Sequence, residues 1–174
     1  MERPQRGAEP SAGVAGKELV RRLVEEGVNQ GQLAIVDEVF APTFPPLSVD
    51  WTGPEGIKQV LAVYRAAIPD ARWVIDEQIA EGEMVATFFV AEGTQLGPLW
   101  GLPATGQRMA VAAVLLSRCR EGQIVEQRLQ LDLLGLLQQL GVMPELGLEQ
   151  AVVAARLLRA SHAWMTDGTG GRRS

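Results

Sequence analysis

Gly97-Pro-Leu-Trp-Gly-Leu-Pro-Ala-Thr-Gly106 and, further on, Gln123-Ile-Val-Glu-Gln-Arg-Leu-Gln-Leu-Asp-Leu-Leu-Gly-Leu-Leu-Gln-Gln-Leu-Gly141 are the two stretches whose reading decides the fold. Glycine and proline crowd the first, which reads as a loop joining two strands. The second starts as a strand and runs directly into a short Leu-rich helix over 133–140, with Gly141 placed as its C-terminal stop. Side chains alternate across a strand, so Glu126, Arg128, Gln130 and Asp132 share one face, and Val125, Gln127, Leu129 and Leu131 the other. If the first face points inward it makes a polar row that a plain hydrophobic core would not tolerate, because buried charge needs partners or a wet cavity.

Working outward, runs rich in Val, Ile, Phe and Trp predict strands over 71–79, 84–94, 108–120 and 124–131. Glu81-Gly82 and Glu121-Gly122 mark tight turns between them. Ahead of the strands the spacing is helical. Leu19, Val20, Leu23, Val24 and Val28 predict a helix from Lys17, and Leu33, Val36, Val39 and Phe40 a short second one stopped by Pro42. Ile57, Val60, Leu61 and Tyr64 predict a third helix ending before Pro69, opened by Thr52-Gly-Pro-Glu55 in the form of a capping box. The Pro-rich segment 41–51 between them reads as irregular loop. Helices first and antiparallel strands afterwards indicate an α+β fold, with helices covering one sheet face. The expected organisation is an unordered tail over 1–15, a domain over 16–142, an additional amphipathic helix within 143–165 and a flexible tail over 166–174.

A chain of 174 residues, 47% of them hydrophobic, suits one domain with a sizeable core. Its net charge of −5 argues against a phosphate-binding surface, so no nucleic-acid partner is expected. Apolar runs fall short of a membrane helix, and the N-terminus lacks the apolar segment of a secretory signal. With one cysteine, Cys119 in an apolar strand, a cytoplasmic protein with an inert buried thiol is expected. No Gly-rich phosphate loop follows a strand, and no Cys, His and carboxylate cluster has metal-ligand spacing, so neither cofactor nor metal is expected. The lone histidine, His162, lies in the C-terminal helix and reads as a surface residue.

Four segments in order carry a resemblance: Asn29-Gln-Gly-Gln-Leu-Ala-Ile-Val-Asp-Glu-Val-Phe-Ala-Pro, Gly53-Pro-Glu-Gly-Ile-Lys, Gly101-Leu-Pro-Ala-Thr-Gly and Asp132-Leu-Leu-Gly-Leu-Leu-Gln-Gln-Leu-Gly. Over roughly 27–142 the chain resembles the SnoaL-like polyketide cyclases of the nuclear transport factor two-like superfamily. The resemblance implies a cone-shaped α+β barrel with a deep pocket, paired as a homodimer through the sheet. It also implies ring closure of a polyketide by intramolecular aldol condensation without metal or cofactor. An aspartate ending the last strand is the family's proposed acid/base, and Asp132 matches that position. Where many relatives carry histidine, this chain has Gln95 and Gln127, so imidazole-assisted chemistry inside the cone is not expected.

On this reading Asp132 moves a proton, and Arg128, with Gln95 and Gln130, stabilises oxyanion or enolate charge. Tyr64 donates a hydrogen bond, Trp51, Phe89, Trp100 and Met109 wall a flat ligand, and Asp50 is a polar group at the loop. Each has a plainer alternative. Asp132 precedes a helix and makes a good N-cap, Arg128 can pair with Glu126 or Asp132, and Gln95 can be a satisfied amide. Trp73 reads as sheet core and Tyr64 as core with its hydroxyl at the rim. The leading expectation is a cofactor-independent cyclase or isomerase acting on a polyketide-like small molecule. Two alternatives stand beside it: an epoxide hydrolase or epoxide-opening cyclase of the limonene type, pairing Arg128 and Asp132 with a second carboxylate (Glu126 or Asp50), and a non-catalytic binding or scaffold protein.

Overall fold

The computed structural model describes residues 11–46 and 52–144. Chain contacts divide the protein into residues 1–142 and 143–174, and every element below belongs to the first. The predicted helix over 148–164, His162, Asp50 and Trp51 lie outside the described residues.

The first helix, α1, spans Ala12–Arg22, so it begins inside the segment expected to be unordered. Its small residues are its packing face. A Cβ at Gly16 would stand 2.9 Å from Val85 Cγ2 and 3.3 Å from Cys119 Cβ, and one at Gly13 would stand 3.1 Å from Ala80 Cβ. The helix lies flush on the sheet because those side chains are missing. A composition that resembles disorder is here the requirement for close approach.

α1 widens into a π-helical turn, Leu23–Asn29, in which Gln30 N–H reaches back to the Glu25 carbonyl at 3.1 Å. The turn delivers the Asn29 amide to the sheet edge. There Nδ2 donates to the Trp73 carbonyl at 3.0 Å and Oδ1 accepts from Trp73 N–H at 2.7 Å. Next come α2, Ile35–Val39, and α3, Gly53–Ala67. Thr52 occupies the N-cap of α3, but its hydroxyl makes no cap bond, and Glu55 turns to Lys58 at 3.4 Å instead. The reciprocal box read from Thr52 and Glu55 is not formed.

Four antiparallel strands follow in the order β1 (Arg72–Glu81), β2 (Met84–Thr94), β3 (Arg108–Arg120) and β4 (Gln123–Leu131). Val85, Phe89, Leu115, Cys119 and Ile124 on the inner face join Val20, Leu23, Val36, Val39 and Phe40 of the helices in one buried cluster. Asp132 caps α4, Leu133–Gln139, through a 2.9 Å bond from Gly135 N–H to Oδ1. Gly141, at φ +70, stops it as predicted: Val142 N–H bonds the Leu137 carbonyl and Gly141 N–H that of Gln138. α4 brings Leu136 and Leu140 into a second buried cluster with Ile68, Leu99, Met109 and Val111. Tyr64 and Leu131 touch both clusters, and the seam between the two is where the cavity lies.

Candidate functional site

A cavity of about 120 Å³ opens between α3, the inner sheet face and α4. Tyr64 from α3, Trp73 from β1, Phe89 from β2, Met109 and Val111 from β3, Leu129 and Leu131 from β4, and Leu136 from α4 line it, with Leu99 and Trp100 of the 95–107 loop at the mouth. Carbon dominates these walls. Such a surface binds apolar matter, and the few polar atoms in it fix orientation.

The polar atoms form one unit. Trp73 Nε1–H donates to the Tyr64 hydroxyl at 3.0 Å, and Trp73 stacks on Phe89 with ring centroids 4.4 Å apart and planes 25° off parallel. The Tyr64 oxygen is therefore an acceptor toward Trp73, and its own proton has no acceptor among the described residues. Burial raises the Tyr64 pKa above 10.0, outweighing the Trp73 bond that lowers it. A neutral phenol with an unspent O–H facing an apolar cavity is a hydrogen-bond donor for a carbonyl oxygen.

Of the expected site residues, Tyr64, Phe89, Trp100 and Met109 line this cavity. Four others, Arg128, Gln130, Gln95 and Asp132, are placed elsewhere. Arg128 pairs across β3 with Leu116, and Gln130 with Val114, on the outer face of the sheet, away from the helices. Arg128 Nη2 donates to Glu126 Oε1 at 2.6 Å, while Arg118 Nε donates to Glu126 Oε2 at 3.2 Å. Those two guanidinium groups, Arg118 foremost, hold the Glu126 carboxyl below its ordinary value. The polar row is thus a solvated ionic cluster, and it meets its charge requirement outside the cone. Beyond Ile124, the inward residues of this strand are Gln127, which donates to the buried Ser117 hydroxyl at 3.0 Å, and Leu129 and Leu131.

Gln95 is fully buried and is not among the residues that line the cavity. Its Nε2 donates to the Gly97 and Pro103 carbonyls at 3.2 and 3.1 Å, and its Oε1 accepts from Thr105 Oγ1 at 2.6 Å. It is the clasp of the 95–107 loop. Asp132 is exposed and borders a shallow outer groove with Asp76, Phe88, Val90, Ala112 and Gln130. Leu131, just before it, and Leu136, one helical turn after it, both line the cavity. The Arg and carboxylates that a limonene-type epoxide site needs around a water are absent from the cavity wall among the described residues.

Trp73, read from sequence as sheet core, is the residue sequence reasoning missed. Its parity gave no warning, because the indole is both packed and the donor to Tyr64. Cys119 is buried and, through burial, its pKa is pushed up to about 11, which leaves an inert thiol. No helix among the described residues is long and apolar enough to cross a membrane.

Residues 18–140 match the family of SnoaL-like polyketide cyclases. Nogalonic acid methyl ester cyclase from Streptomyces nogalater is 31% identical over 118 residues, covering 65% of this chain and 88% of that protein. The SnoaL-like protein of Jannaschia Sp. CCS1 superposes with a TM-score of 0.69 at 28% identity, over 79% of this chain and all of that one. IdmH from Streptomyces antibioticus superposes with a TM-score of 0.62 at 28% identity, over 72% of this chain and 98% of that one. With four segments in order, a shared α+β architecture and a match across most of its length, the chain belongs to the SnoaL-like polyketide cyclase family.

Proposed function

We propose that this protein is a cofactor-independent cyclase that closes a ring in a polyketide-like carbonyl compound held in the apolar cavity. The observation that carries this reading is the Tyr64 hydroxyl, whose proton has no acceptor among the described residues, in an otherwise carbon-lined cavity. Aldol closure needs a base to remove a proton from carbon and a donor to meet the charge that builds on the accepting carbonyl. Tyr64 is the donor. It cannot be the base, because burial keeps it protonated.

Among the described residues the cavity wall holds no carboxylate, and Asp132, which follows the cavity residue Leu131 and precedes Leu136 by one helical turn, is the proton acceptor in this reading. In this reading a substrate that extends from the cavity past Leu131 to Asp132 gives up its acidic C–H proton to the carboxylate oxygen that does not cap α4. The enolate carbon then bonds to the second carbonyl carbon, whose oxygen takes a proton from Tyr64, and the proton on Asp132 returns to Tyr64 through solvent. Arg128 and Gln130 have no part in these steps.

The same reading includes pairing of two copies through the outer sheet face. Val74, Ile79, Phe88 and Val90 are large apolar side chains left exposed there, and an apolar patch of that kind marks an interface. The buried, unreactive thiol suits a reducing compartment such as the cytoplasm.

The test is turnover of nogalonic acid methyl ester and shorter polyketide esters by wild type and by Tyr64→Phe, Asp132→Asn and Asp132→Ser, followed by mass spectrometry. Loss of one preorganised donor costs about 10²–10³ in kcat, which is the effect expected for Tyr64→Phe. Asn and Ser cap a helix about as well as Asp, so both Asp132 variants keep α4. Loss of turnover in both identifies the carboxylate as the base. Full activity in both restricts Asp132 to capping, and binding without turnover by wild type makes the protein a carrier.

A further inference from the structure

The tip of the 95–107 loop is built at a cost that the fold itself does not recover. Leu99 and Leu102 exchange both backbone bonds, N–H to O at 3.0 and 2.8 Å, closing a two-residue turn over Trp100 and Gly101. Both central residues have positive φ, +49 at Trp100 and +83 at Gly101, the pattern of a type I′ turn. Asn-Gly is the low-cost pair for that turn, and a bulky aromatic in the left-handed region is strained. The indole gains little packing in return: Trp100 is 60% exposed and belongs to neither buried cluster. Leu99, its neighbour, is the residue that anchors the tip, at 1% exposure. From behind, Gln95 clasps the loop through Gly97, Pro103 and Thr105, so the tip is held in place.

The cavity's size supplies the second half of the argument. An apolar cavity of about 150 Å³ takes a benzene ring, so the one here, about 120 Å³, holds roughly one six-membered ring. Anything larger must continue through the mouth, where Trp100 stands. We propose that Trp100 is the specificity-determining residue of this site. It offers a preset aromatic face to the second and later rings of a flat ligand whose first ring lies against Tyr64, Trp73 and Phe89. This rests on the cavity's being the ligand site, as in the function proposed above, and adds which residue sets the size class.

The experiment is Trp100→Asn in the full chain, read by calorimetric binding of acetophenone (one ring) and 1,8-dihydroxyanthraquinone (three fused rings) and by thermal unfolding. Loss of an aromatic face weakens the three-ring probe about tenfold, with the one-ring probe changed less than about twofold. Relief of the turn raises Tm by about 2–4 °C, whereas a structural tryptophan would lower it. Trp100→Phe restores most of the three-ring affinity. Equal loss of both probes, loss of neither, or a fall in Tm for Trp100→Asn overturns the assignment. Failure of wild type to bind either probe overturns the cavity reading itself, and this inference with it.

Discussion

The two faces of this sheet are both apolar, yet they do different things. Along β3, Met109, Val111, Ala113 and Leu115 point to the helices and are buried, while Ala110, Ala112, Val114 and Leu116 point away and are partly or fully exposed. The inner row packs against α1, α2 and α3 and leaves a cavity at one end. The outer row carries a rim of charge, Arg118, Glu126 and Arg128, beside side chains that the described residues leave uncovered. Hydrophobicity therefore does not identify the core face of such a strand. The position of the helices does, and the second apolar face is the one assigned to pairing in the proposed function.

Adjacent leucines on opposite faces give the largest test of that contrast. Leu115→Ala removes a side chain that is 3% exposed in the main cluster, and is expected to cost about 2–5 kcal/mol in denaturant unfolding. Leu116→Ala, one residue on, is expected to cost about 0.5 kcal/mol in the monomer. With the proposed pairing through this face, Leu116→Glu is expected to keep the fold and to sediment as monomer at micromolar concentrations where wild type sediments as dimer; a wild type that is itself monomeric there overturns the pairing. Equal destabilisation by the two alanines would mean that the outer face is as much core as the inner.

The polar residues make a smaller version of the same comparison. Gln95→Leu removes three buried hydrogen bonds and leaves their partners unpaired, an expected cost of about 2–3 kcal/mol in thermal unfolding. Gln130→Leu, on the outer face, is expected to change stability by at most about 0.5 kcal/mol. Comparable losses would show that Gln130 has a buried role.

Most of the fold is legible in the chain for a physical reason. Period-2 runs fixed by β-branched and aromatic residues place β2 and β3 at their observed ends, and Gly141 ends α4 because the left-handed turn needs it. The start of α1 is not legible, since Gly13 and Gly16 resemble tail composition and reveal their purpose only against Ala80, Val85 and Cys119. The site is half legible. Tyr64 follows from its helical stripe, Phe89 and Met109 stand in strands, and Trp100 reads only as an aromatic of the loop, but the inward or outward sense of β4 does not follow. Its pairing slips between Arg118 and Cys119, where Glu126 and Ile124 are the successive partners. Ile124 is therefore buried although it shares sequence parity with exposed Arg128 and Gln130. Alternation counted through the bulge from buried Ile124 assigns the polar row to the wrong side, whereas Asp132, in the cap after the strand, stays on the outer side with Gln130.

Titration gives the smallest expected effects and separates the faces by sign. Glu126, outside, has its carboxyl lowered by Arg118 and Arg128, so its stabilisation is present above 4.5 and fades as pH falls through the lower folded value. Tyr64, inside, has its phenol raised by desolvation. Its contribution is present below 10.0 and is lost as pH rises through the higher folded value, where the buried phenolate is disfavoured. The chain contains one tyrosine, so tyrosinate absorbance in alkali reports Tyr64 alone. Its midpoint in the folded protein is expected above 10.0, and at the ordinary value once urea has unfolded the chain. Trp73→Phe removes the bond that favours the phenolate and should move the folded midpoint further upward. A folded midpoint at or below 10.0 would mean that water reaches the hydroxyl freely, and the cavity would then be too wet for Tyr64 to serve as its single oriented donor.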